Sequence, residues 1–60
     1  MIYTVRFYTP AGMLMNTTNM HCTDDTEARQ IFDKIKREYT MDLWQAQRLI
    51  ARAAADRQVS

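Results

Sequence analysis

Tyr3, Val5 and Phe7 alternate with Ile2, Thr4, Arg6 and Tyr8, a period of two that predicts a half-buried strand over residues 2–9. Its β-branched and aromatic content suits a pleated surface. Pro10 has its φ preset for the first central position of a turn, and Gly12 is free to take a left-handed conformation. A type I turn with a G1 bulge is therefore expected over residues 10–12. The chain returns as a second strand over residues 13–21, with Phe7 opposite Met15, Arg6 opposite Asn16, Val5 opposite Thr17, Thr4 opposite Thr18 and Ile2 opposite Met20. The large apolar residues of this strand change parity between Met13 and Met15 on one side and Met20 and Cys22 on the other. A bulge or an early end near residues 16–19 would reconcile them.

The period then lengthens. Ala28, Ile31, Phe32, Ile35 and Tyr39 recur at helical spacing and predict a helix over residues 24–38. On its opposite face, Asp25, Arg29, Asp33 and Arg37 follow one another four apart, a ladder worth about 0.2–0.5 kcal/mol per pair on a solvated surface. Thr40 is placed to cap a second helix over residues 41–57, whose apolar stripe comprises Leu43, Ala46, Leu49, Ile50, Ala53 and Ala54. The expected fold is α+β, an N-terminal β-hairpin followed by two antiparallel helices in the order ββαα. Residues 1–60 form one small domain.

Size adds a constraint. A 60-residue chain buries only about 60% of the surface its unfolded form exposes. The 47% apolar content includes seven alanines and five methionines, so the core is light. A lone cysteine makes no internal disulfide, and a two-stranded sheet is marginal by itself, so a homodimer that completes a four-stranded sheet is expected. Eight basic and seven acidic residues, net charge +1, create no general field toward nucleic acid or anionic membrane. No apolar run approaches the roughly 18 residues of a membrane span, which leads to the expectation of a soluble, cytoplasmic protein.

The only His, the only Cys and two adjacent Asp fall together at residues 21–25. A thiol near a helix start can be activated, but Asp24 and Asp25 oppose a thiolate, and His21 and Cys22 alternate across a strand. The spacing matches no structural zinc site. Asp24, three residues before Glu27, instead forms a helix-capping pattern. No nucleophile–base pair and no phosphate loop is visible, so no enzyme activity, cofactor or metal is expected.

Trp44 lies off the apolar stripe of the second helix, in a sector with Met41, Arg48, Ala51, Arg52 and Ala55. Aromatic and Arg residues dominate binding hot spots, and small residues allow close approach. These six are the expected contacts with a protein partner. The leading expectation is a small non-enzymatic binding module, an inhibitor, adaptor or regulator of the kind carried by phages and mobile elements. The alternative is a dimeric nucleic-acid-binding regulator whose two helices present Lys34, Lys36, Arg37, Arg48 and Arg52 to phosphates. The interleaved Asp33, Glu38, Asp42 and Asp56 make it the weaker of the two.

Overall fold

A computed structural model describes residues 1–55, and in it the chain forms β1 (Ile2–Tyr8), β2 (Leu14–His21), α1 (Asp25–Lys34), β3 (Thr40–Gln45) and β4 (Arg48–Ala53). The four strands make one antiparallel sheet in the order β2-β1-β3-β4. The expected ββαα arrangement is thereby corrected. Among the described residues there is one short helix, and residues 40–53 form a second hairpin where a second helix was expected. The four-stranded sheet comes from a single chain, so no second copy is needed to complete it. The expected end of that helix, at residue 57, lies outside the described residues.

The first hairpin turns at Thr9, Pro10, Ala11 and Gly12. Gly12 N–H donates to Thr9 O at 2.8 Å and Gly12 takes a φ of 86°. The register begins with Tyr8 opposite Leu14, then slips by one residue, so that Phe7 faces Asn16, Val5 faces Thr18 and Tyr3 faces Met20. The extra residue is Met15. This bulge resolves the parity change and replaces the straight pairing of Phe7 with Met15.

Asp24 caps α1, its Oδ1 accepting from Glu27 N–H at 2.9 Å. The Glu27 carboxylate reaches back to Thr23 N–H at 2.8 Å. The helix stops four residues short of the expected end, because Ile35 is already extended. Phe32 and Ala28 are its buried residues, and they rest on the sheet face carrying Tyr3, Val5, Met41, Leu43 and Ala53. Ile31 and Tyr39, counted in the helical stripe, remain exposed.

In β3 the sequence TMDLWQ alternates, with Met41 and Leu43 inward and Thr40, Asp42 and Trp44 on the opposite face. That period of two competes with a helical reading of the same letters. Pairing with β1 settles it, since a strand there buries Met41 and Leu43 completely between two neighbours. Ala46 turns the chain into β4 with a φ of 55°, a left-handed value that costs an L residue about 1–2 kcal/mol. Ala46→Gly is therefore expected to stabilise the protein by about 0.5–1 kcal/mol after the extra chain entropy of glycine is subtracted. The same change inside a helix would destabilise by about 1 kcal/mol. Urea denaturation reads the sign, and a loss of stability would refute the hairpin.

Candidate interaction surface on the open sheet face

α1 covers one face of the sheet, and among the described residues no element covers the other. Because directly paired residues share a face, cross-strand register arranges that open face in rows. The middle row reads Thr17, Arg6, Asp42, Arg52, and the next reads Asn19, Thr4, Trp44, Leu49. Tyr8 and Thr40 continue the face toward the first turn.

Asp42 stands between two arginines across the strands. Its side chain is only 2% exposed, although it belongs to the face without a helix, because neighbouring side chains lie over it. Arg52 Nε donates to Asp42 Oδ1 at 2.8 Å, and Arg52 Nη2 stands 3.5 Å from Oδ2. Burial pushes the carboxyl up. The Arg52 hydrogen bond, the Tyr8 hydroxyl, the Arg52 charge and, most weakly, the Trp44 indole outweigh it and hold Asp42 below the ordinary carboxylate range.

Arg6 places its guanidinium carbon 5.0 Å from the centre of the Trp44 ring, in cation–π contact. Trp44 is half-buried, and its Nε1 is shielded from solvent without a hydrogen-bond partner among the described residues. A buried donor without an acceptor is costly, and the indole N–H supplies only a weak electrostatic pull on Asp42.

The six residues placed in one sector of a helix are distributed by the sheet. Trp44 and Arg52 share the open face. Met41 is wholly inside the core and Ala51 packs against it. Ala55 lines a surface cavity of about 380 Å³ with Tyr8, Pro10, Tyr39 and Thr40. Arg48 reaches the helix side, where Nη1 and Nη2 hold the two Asp25 oxygens at 2.9 and 3.1 Å and Nη2 also donates to Gln45 Oε1 at 2.7 Å.

That same Asp25 accepts the Tyr3 hydroxyl at 2.6 Å, tying β1, α1 and β4 together. The bond to Asp25, followed by burial, pushes the Tyr3 phenol up to about 12. Hydrogen bonds from Arg48 and Tyr3 hold Asp25 down.

The basic residues of the nucleic-acid reading do not converge either. Lys34, Lys36 and Arg37 are exposed at the end of α1 and in the loop after it, while Arg48 and Arg52 are engaged by Asp25 and Asp42. The second helix that was to carry the last two does not form. Cys22 is buried, and burial, then Glu27 and Asp24, outweigh the terminal amine of Met1 and push its thiol up, away from the thiolate form. The terminal amine of Met1 donates to Cys22 O at 3.0 Å. Among the described residues no group of three or more His, Cys, Asp or Glu is placed to hold a metal, and no helix is long and apolar enough to cross a membrane.

Arg6, Tyr8 and the buried Asp42 belong to this face and are not among the contacts expected from the sequence. The signal that could have found them is the alternation in residues 40–45, which puts Asp42 and Trp44 on one face and gives β1 a second neighbour. The chain matches no known family model, no curated protein and no solved structure.

Proposed function

We propose that this chain is a non-enzymatic protein-binding module, an inhibitor, adaptor or regulator that occupies a partner's surface through its open sheet face. The observation that carries this reading is the juxtaposition of Trp44, Arg6, Tyr8 and Arg52 on a face over which no element packs among the described residues. Trp, Tyr and Arg are the side chains that dominate interface energetics: Trp and Tyr bring large contact area at small entropic cost, and Arg brings a planar fork of hydrogen-bond donors. Strands also hold them in fixed relative positions, so little ordering remains to be done on binding.

The paired charges favour protein over nucleic acid. Arg52 is held by the buried Asp42, and Arg6 lies over the indole face on which a base would otherwise stack. Chemical cross-linking in the producing cell, followed by affinity measurement with the captured protein, tests the reading. Trp44→Ala is expected to weaken binding at least about 30-fold, the effect of losing a hot-spot residue, with the far-ultraviolet circular dichroism unchanged. Equal capture by wild type and variant would overturn it. So would tight binding to a single-stranded oligonucleotide that weakens steeply with added salt.

A further inference from the structure

We propose that two copies of this chain pair through β2, antiparallel about a two-fold axis at Asn19, to give one continuous eight-stranded sheet. The inference stands apart from the proposed use of the open face, because it rests on backbone groups at the sheet edge.

The two edges of the sheet are unlike. β4 carries Arg48 and Arg52, and a bulge interrupts its pairing with β3, both of which discourage addition of another strand. β2 reads LMNTTNMH, without Lys, Arg, Asp, Glu or Pro, and every residue in it except the half-buried Met20 is exposed. An edge of that length and neutrality is a template for a further strand. The sequence is also compatible with itself, since self-pairing opposes no two formal charges at neutral pH.

Hydrogen bonding settles which backbone groups are free. Met1 and Cys22 exchange both backbone bonds, Met1 N to Cys22 O and Cys22 N to Met1 O, each at 3.0 Å. In an antiparallel ladder such pairs recur at every second residue. Tyr3 with Met20, Val5 with Thr18 and Phe7 with Asn16 are therefore the bonded pairs of β1 and β2. The N–H and C=O groups of Thr17, Asn19 and His21 consequently point outward, away from β1. In agreement, Thr17 N–H is taken by the adjacent Asn16 side chain, Oδ1 at 2.9 Å, a local contact that an incoming carbonyl can displace.

A two-fold axis at Asn19 pairs Asn19 with its own copy and Thr17 with His21 of the other copy, in both directions. All three outward residues of each chain are then used, and the bulge at Met15 stays outside the paired segment. An axis at Thr18 would pair Thr17 with Asn19 and oppose His21 to the bulge. On the helix side, the Asn19 register sets each Met20 against Thr18 of the other copy and extends the apolar face across the junction. With the axis perpendicular to the sheet, both helices lie on one side and both Trp44 faces on the other.

The paired segment is only residues 17–21, so the contact falls below the roughly 1,200 Å² of a standard interface and the dimer is of about micromolar affinity or weaker. Sedimentation from about 1 µM to about 1 mM protein, with no partner present, is expected to show a reversible monomer–dimer equilibrium. Asn19→Lys, which opposes two like charges at the axis, is expected to raise the dissociation constant at least about tenfold at low salt. In a Cys22→Ala background, Asn19→Cys is expected to form a disulfide dimer under mild oxidation, because bonded partners are about 5.5 Å apart between Cα atoms. Thr18→Cys is expected not to do so. A wild type that is monomeric at every concentration overturns the pairing, and so does an Asn19→Lys dissociation constant equal to that of the wild type. Failure to cross-link through position 19, or efficient cross-linking through position 18, overturns the register.

Discussion

Leaving the Asp42 carboxylate without its partner, by Arg52→Ala, is expected to cost about 2–3 kcal/mol of folding stability, less than the roughly 3–5 kcal/mol of breaking a fully buried ion pair. The reason is an asymmetry within the pair. Asp42 is 2% exposed, whereas the Arg52 side chain is 61% exposed, so the substitution strips a shielded carboxylate of its main hydrogen-bond donor. The discount from a fully buried pair reflects water that enters where the arginine had covered Asp42. Asp42→Asn in the Arg52→Ala background is expected to recover much of the loss, since a neutral amide needs no counter-charge.

The pH dependence is expected to differ between the two proteins. In the wild type the Asp42 pKa is lowered in the folded state, so its contribution is fully present above the unfolded value of about 3.9 and fades as pH falls through the folded value. Without Arg52, the hydrogen bond and the charge that oppose burial are gone, so the folded-state pKa of the same carboxyl is higher in the variant than in the wild type. The gap between the two proteins is therefore expected to narrow on acidification from about pH 7 toward about pH 4 and below. Urea denaturation at several pH values measures it, and a gap that is constant with pH would show that Arg52 acts through packing alone.

Phe32→Ala is expected to be more damaging still, at about 3–5 kcal/mol. α1 has ten residues, shorter than the roughly 12–15 at which isolated helices become even marginal in water, so docking must supply its stability. Phe32, 2% exposed, is the one large fully buried side chain that α1 contributes, with Ala28 beside it. A chain of 60 residues has only about 3–9 kcal/mol to lose. The variant is expected to show a collapsed melting transition and loss of the helical dichroism, whereas Ile31→Ala, at an exposed position one residue earlier, stays within about 1 kcal/mol of wild type. A Phe32→Ala variant that melts like the wild type would mean that the helix is not anchored through this residue.

Local rules reach different depths along this chain. Pro10 and Gly12 specify their turn through backbone chemistry, and the Asp24–Glu27 spacing places the helix cap, because each depends on neighbours within four residues. The parity change in the second strand announces a bulge, although its position at Met15 depends on which side chains β1 offers opposite. Trp44 and Arg52 stand out by composition, yet the surface they share with Arg6 and Tyr8 exists only where β1 lies beside β3.

Residues 40–53 mark the limit. Their Ala, Leu, Gln and Arg content favours a helix by intrinsic propensity, and Ala46 has no local reason to adopt a positive φ. A helix would have satisfied its own backbone while leaving β1 with one neighbour. As a hairpin, the same residues bury Met41 and Leu43 against β1 and put Asp42 between Arg6 and Arg52. Turns and caps are settled by bonds between near neighbours and are written in the letters themselves. The second hairpin, the open face and the Asp42 ion pair come from contacts spanning up to about forty residues, whose burial energy exceeds the local preference it overrides.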